Sequence, residues 1–443
     1  MRDAFSRRRF LACSTAAATL AMFPARRPAA ADDRPPVTHP RATSGDRRSE
    51  PDWAERLTVT VGPQEADIVG TNHRALQAAV DYVARLGGGT VRVLPGTYVL
   101  RNAVTLASHV RLVGSGLDAI LTKPASHETK LAADSDWFDQ EITLQDARGF
   151  QVGDAVCLRT KNPHHGATTI AKRTLVARDG ARFKLDRALR ENFWLMGDTT
   201  VSSLFPLVAA ENAERFAIEN LTLDGNRAQN QNLDGNYAGC IFLQDCSDVA
   251  IRDVVARRYN GDGISWQICH DVVVERCHSH DHAGLGLHPG SGSQRPVMRG
   301  NRLERNQIGL FFCWGVKFGL AEDNKLDGNR VGISIGHRDT DNLVRRNEVL
   351  RSAEVGVLFR PERGPAFAGH RNRIEENRIV DTGGPAAVAI DVQGATESIT
   401  LAANRLEETR EPAERIAIRL GPDTRDIRLV DNKATGFAKE LAP

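Results

Sequence analysis

Five residues within eleven positions carry much of the acid-base chemistry of this chain: His278, His280, Asp281, His282 and His288, in the stretch CHSHDHAGLGLHPGSGS. A histidine needs no large pKa shift to act as a base near neutral pH. Alternating histidines also suggest a metal. Residues i and i+2 of a strand, however, stand about 6.6 Å apart, too far to share an ion bonded at about 2 Å unless a turn folds them together. Solvated turn histidines, a general base and a metal set are thus three readings of one cluster. Just upstream, Asn260-Gly261-Asp262-Gly263 presents a carboxylate, Asp262, in a run that also makes a good turn.

These groups sit inside a repeat. From about residue 216 the chain cycles through short apolar strands and polar turns with a period of roughly 23 to 30 residues, the mark of a stacked architecture. Asn301, Asn324, Asn347, Asn377, Asn404 and Asn432 recur at spacings of 23, 23, 30, 27 and 28. Asparagine tolerates left-handed turn geometry, and its amide can bond to the equivalent amide one coil away. Set on their leading glycines, five strands read GISWQ from Gly263, GLGLH from Gly284, GLFFC from Gly309, GISIG from Gly332 and GVLFR from Gly356. Period two points Ile264, Trp266, Leu285, Leu287, Leu310, Phe312, Ile333, Ile335, Val357 and Phe359 inward. Parallel strands joined by turns rather than helices imply a β-solenoid, whose filled interior leaves chemistry to the outer face.

On that alignment one outward row holds Gly261, His282, Gln307, Arg330 and Glu354, and another holds Gln267, His288, Cys313, Gly336 and Arg360. Trp314 and His337 follow the strands, with Lys317 three residues beyond Trp314. Ahead of the repeat, Thr71 to Leu86 places Ala75, Leu76, Ala79, Val80 and Val83 at helical spacing. Such a helix would cover the open end of a solenoid. The repeat is lost between about Pro124 and Leu204, where β-rich segments predict a small inserted β subdomain. The polar turn from Asp224 to Tyr237 flanks the outward rows.

The helix, the triple glycine at Gly87 and the run V-R-V-L-P-G-T-Y from Val91 resemble the opening coil of the pectate-lyase-like superfamily. That resemblance implies an all-β, right-handed parallel β-helix over residues 57–443. Asn260-Gly261-Asp262-Gly263 further resembles the N-x-D-G motif of polygalacturonase-type glycoside hydrolases, in which the aspartate, here Asp262, is a catalytic carboxylate. The next coils depart from that family. Asp281-His282-Ala283 stands where it has two adjacent aspartates, and Gln307-Ile308-Gly309 where it has Gly-His-Gly. The fold and these residues lead to an enzyme cleaving an acidic polysaccharide by β-elimination, with His288 or His282 as base and Arg330, Arg360 or Lys317 as the cation facing the uronate carboxylate. Gln267, Gln307, Trp314, His337 and Glu354 would line the sugar. A hydrolase using Asp262 with Asp281, and a non-catalytic glycan-binding surface protein, are the alternatives. Lyases of this fold often use calcium, so the resemblance leaves that ion open as a cofactor.

The N-terminus, Ser6-Arg7-Arg8-Arg9-Phe10-Leu11 followed by an apolar stretch and Ala29-Ala30-Ala31, matches a twin-arginine signal. It implies passage through the twin-arginine translocon, cleavage after Ala31 and a periplasmic or secreted mature protein, with residues 32–56 as a disordered linker. Leu11 to Phe23 is too short to span a bilayer, and no later stretch is apolar enough to do so. Without residues 1–31 the chain carries 52 basic and 55 acidic side chains, which argues against nucleic-acid binding. The six cysteines after Cys13 form no Cys-x-x-Cys pair, and single buried thiols are the favoured reading over disulfides.

Overall fold

The computed structural model describes residues 56–162 and 166–443. The twin-arginine segment and all of the linker but Arg56 lie outside the described residues. The chain winds through three long parallel sheets of 13, 11 and 11 strands. One turn of the winding shows the plan: Ser247–Arg252 in the first sheet, Val255–Arg257 in the second, Asp262–Gln267 in the third, then His270–Glu275 back in the first. Each strand pairs with its counterpart one coil on, so the repeat in sequence becomes a ladder in space.

The interior is a continuous apolar stack. Ile264, Trp266, Leu287, Leu310, Phe312, Ile333, Ile335, Val357 and Phe359 are all fully buried, each such side chain contributing roughly 2 kcal/mol of transfer free energy. The asparagine ladder forms as expected: each amide Nδ2 donates to the next Oδ1, from Asn301 to Asn324 at 2.9 Å through Asn404 to Asn432 at 2.9 Å. Two more pairs close other corners: Asn342 bonds to Asn372 in the same way, and the Asn306 backbone amide donates to Asn329 Oδ1.

Helix α1 (His73–Arg85) caps the first coils and buries Ala75, Leu76, Ala79, Val80 and Val83, the five residues that its spacing singled out. Asn72 Oδ1 accepts from the amides of Arg74 and Ala75 and so closes its N-terminus.

The GLGLH strand corrects the alignment of the coils. The ladder pairs Ile264 with Leu287 and Ser265 with His288, so the coil's leading glycine is Gly286, not Gly284. A Cβ at Gly286 would stand 2.5 Å from the Gly309 carbonyl oxygen, so this corner admits only glycine. The shift is two residues, which keeps inside and outside but moves every residue of that strand by one place along its row. Leu285 consequently pairs with Ile308 on the outer face and is only partly buried, not part of the core.

Two segments break the winding, and both leave at the corner between the second and third sheets. In one coil the chain departs after Ala119–Thr122 and returns at Val208–Glu211, having built a six-stranded antiparallel sheet with its own core around Phe150, Leu158, Phe183 and Phe193. In the next coil it departs after Thr222–Asp224 and returns at Gly239–Gln244. These two excursions stand over the third sheet.

Candidate functional site

Beneath the second excursion lies a cavity of about 370 Å³. Asn232, Asp234, Gly235 and Asn236 form its loop wall, and Asp262, Leu285, His288 and Phe311 its floor. Asp262 and His288, 26 residues apart in sequence, meet here on neighbouring strands. His288 Nδ1 is 2.8 Å from Asp262 Oδ2, and Asp262 Oδ1 accepts from the amide of Leu285 at 2.9 Å. Both residues are only 2% exposed. An ionised Asp262 requires the imidazole proton on Nδ1, which leaves a lone pair on Nε2. That Nε2 is buried and has no partner among the described residues.

Glycines make room for this pair. A Cβ at Gly235 would fall 1.6 Å from Asp262 Oδ2, and one at Gly284 would fall 2.2 Å from Oδ1. Gly284 thus serves the carboxylate, while Gly286 serves the corner. Ser265 Oγ donates to the Gly235 carbonyl at 2.7 Å, tying the loop to the sheet, and lies 3.4 Å from His288 Nδ1. Asn260 is a further tie. It accepts from Lys123 Nζ at 2.6 Å, donates to the Gln231 carbonyl, and receives the Leu233 amide on its own carbonyl. Burial pushes the Lys123 amine down to about 7, and its charge faces the rings of Tyr259 and Phe205 rather than a carboxylate. Lys123, Ser265 and Phe311 escaped the sequence reading. Lys123 follows the strand Ala119–Thr122 where the repeat stops, and the other two are ordinary outer-face residues until the loop covers them.

Of the residues singled out in the sequence, Asp262 and His288 come together and Gln267 adjoins them, its Nε2 donating to Ser265 Oγ at 3.2 Å. Arg360 reaches back across Ser334 to lie 4.1 Å over the ring of Phe311, which itself packs 5.2 Å from His288. It is therefore the singled-out cation joined to the cavity by contact. Trp314 and His337 lie with ring centres 3.7 Å apart on neighbouring coils, and Phe367 packs against His337 at 5.1 Å with its ring tilted by 53°.

The others lie elsewhere. His282 points inward, not along an outer row: its Nδ1 accepts from the Tyr259 amide, and its Nε2 stands 3.1 Å from Ala256 O and from Ser279 Oγ. Burial pushes its pKa down to about 3. With both nitrogens bound to the fold it has none to offer a substrate. Asp281 is clamped by both ends of the Arg305 guanidinium and by His280, which hold its carboxyl far below the usual range, and it does not line the cavity. Gln307, Arg330 and Glu354 bond to one another in an exposed chain that starts one coil beyond Gly284 and runs away from the cavity. Lys317 sits in the turn after the third sheet, bridged to Gln294 and Thr340.

No group of three or more His, Cys, Asp or Glu side chains among the described residues is placed to hold a metal. Calcium takes six to eight oxygens, and both carboxylate oxygens of Asp262 already accept N–H groups, so these residues do not make a calcium site. The six cysteines are free and buried. No helix of the described residues is long and apolar enough to cross a membrane.

Residues 208–349 match the family described as a right handed beta helix region. Among solved structures the chain is similar to the surface protein and adhesin PfbA of Streptococcus pneumoniae, at 14% identity and TM-score 0.52, covering 87% of this chain and 100% of that one. The A-module of the mannuronan C-5 epimerase AlgE6 of Azotobacter vinelandii aligns at 15% identity and TM-score 0.47, covering 84% of this chain and 91% of that one. The Dettilon tailspike protein aligns at 10% and 0.49, covering 84% and 68%. A search of curated protein sequences finds no match. The three parallel sheets, the family match over the central coils and the likeness to PfbA together make this chain a right-handed parallel β-helix protein.

Proposed function

We propose that the chain is an exported enzyme that cleaves an acidic polysaccharide by β-elimination at the Asp262–His288 pair. The observation that carries this reading is the buried imidazole whose Nδ1 is held by a carboxylate and whose Nε2 lacks a partner at a cavity wall. Asp262 fixes the tautomer and supports the imidazolium that forms, the role a carboxylate plays behind a histidine base. Nε2 takes the C5 proton of a uronate. The electron pair of that C–H bond becomes the C4=C5 double bond, the C4–O bond breaks, and the leaving oxygen takes up the proton that Nε2 releases, which returns the imidazole to its neutral form. Charge builds on the sugar carboxylate as the proton leaves, and Arg360, lying over Phe311, is a cation in contact with the cavity floor that can stabilise it.

Hydrolysis is less well supported. It needs two carboxylates to donate and accept protons across the glycosidic bond, and Asp262 has both oxygens committed while Asp281 is ion-paired away from the cavity. Products separate the readings: ultraviolet absorbance of an unsaturated uronate marks elimination, new reducing ends without it mark hydrolysis, and neither marks a binding protein. The export part of the reading rests on the twin-arginine run. Replacing Arg7 and Arg8 with lysine keeps the charge, so trapping of the precursor in the cytoplasm is the expected outcome, seen by fractionation. Unchanged secretion would remove that part.

A further inference from the structure

A second and larger cavity, of about 560 Å³, lies between the inserted sheet and the third sheet of the helix. Its floor includes Ala209 and Phe242, and its insert wall carries Lys172, Arg173, Arg187 and Arg190. Arg173 is spent on the backbone carbonyls of Lys172, Arg187 and Ala188. Lys172 donates to the Tyr237 carbonyl at 2.6 Å and lies 3.9 Å over Phe242. Arg187 and Arg190 make no side-chain hydrogen bond or ion pair with any described residue, and both are exposed at the cavity wall. Burial, and after it the charges of Arg187 and Arg190, press the Arg173 guanidinium below its ordinary value. Of the acids in the wall, Asp186 accepts the Thr174 amide at 2.8 Å, Glu211 faces Lys172, and Glu191 follows Arg190 and is exposed. Four cations face three carboxylates in this wall, and the two arginines without a side-chain partner among the described residues are poised for an anion from outside.

The position of this cavity indicates which anion. Ala209, Phe242, Ser265 and His288 form one outward row of the third sheet, which sets Phe242 two coils, or about 10 Å, from His288. The Asn232–Tyr237 loop stands between the two cavities, bonded to Ser265 on one side and Lys172 on the other. A small anion would occupy one cavity only. A chain of acidic sugars crossing the outer edge of that loop would meet both.

We propose that the insert cleft is an anchoring site for an acidic glycan, in which Arg187 and Arg190 hold a uronate carboxylate while another unit of the same chain lies at His288. This rests on the acidic-polysaccharide reading above and adds a role for the insert. The anchoring is a binding function, distinct from the chemistry at His288.

The test uses the full chain and two defined uronans, polymannuronate and polygalacturonate, each as trisaccharide and hexasaccharide. Binding is measured by calorimetry on His288→Ala, with and without the added pair Arg187→Ala and Arg190→Ala. The pair should weaken hexasaccharide binding by about 10-fold or more, leave trisaccharide binding unchanged, and spare the fold, since both side chains are exposed. In the otherwise native chain the same pair should raise KM for polymer without changing kcat on the shortest cleaved oligomer. Hexasaccharide binding that is strong but indifferent to the two arginines would overturn the anchoring site alone. Absence of binding and turnover for either uronan would overturn the acidic-polysaccharide reading and the anchoring site together.

Discussion

Two stretches of the same winding behave differently. Past Asn324 the coils satisfy one another: each ladder asparagine gives its amide to its counterpart one coil on and its Nδ2 to a neighbouring carbonyl, and each strand repeats the last. Between Asp224 and Phe311 the winding is the same, but a lengthened turn roofs the sheet and glycines hollow the space beneath it. What is buried there is a carboxylate and an imidazole with one nitrogen left open. Along the ladder the polar atoms are paired, and the buried atoms past Asn324 without a partner among the described residues belong to His337, Thr340 and Thr382, outside it. Where an excursion interrupts the winding, polar groups are buried without being fully satisfied, which is the condition for chemistry.

The regular stretch should fail by stability. Ile333 is fully buried, and Ile333→Asp places an unpaired carboxylate in the stack at a cost of several kcal/mol. Denaturant unfolding should show a large drop or a chain that no longer folds. Full stability would place Ile333 on the wrong face and undo the register.

The interrupted stretch should fail by activity. Gly284→Ala pushes a methyl against Asp262 Oδ1 and displaces the carboxylate from His288. Turnover should fall by about 10²-fold while the unfolding midpoint changes little. An unimpaired Gly284→Ala would mean that the carboxylate's placement does not matter.

A third change sharpens the contrast between the two histidines. His282, near 3 in the fold, has an ordinary value of 6.5. Between those values the unfolded chain binds the extra proton, so folding stability is full above about 6.5 and is lost as pH falls toward about 3. His282 gives its backbone amide to the Asn306 side chain, as Asn306 does to Asn329, so asparagine suits its site. His282→Asn should therefore flatten the dependence of stability on pH between about 6.5 and 4, and leave turnover near the native value. A slope unchanged from the native chain would show that His282 is not the buried neutral group described.

Much of this was legible in the sequence for a physical reason: stacking repeats the same environment every coil, so the ladder from Asn301 to Asn432 and the inward Ile264, Trp266 and Ile333 announce themselves by period. The five buried residues of α1 follow from helical spacing in the same way. The site was only half legible. Gly284 and Gly286 both fit the leading position, and only contact distances tell that one clears the corner and the other clears Asp262. That two-residue ambiguity hid the pairing of Ser265 with His288 and placed His282 on the outside. Lys123 and Phe311 take their roles from a loop and an insert that cross over them, which no local spacing reports.

The most direct measurement is the rate at which unsaturated uronate appears when acidic polysaccharides are offered to the native chain, to His288→Ala and to Asp262→Asn. Asparagine at 262 would donate to Nδ1 and force the proton onto Nε2, removing the base without removing the ring. The account predicts absorbance with the native chain, and a loss of about 10²-fold or more in both variants at retained fold. Unsaturated product formed at the native rate by His288→Ala would contradict it.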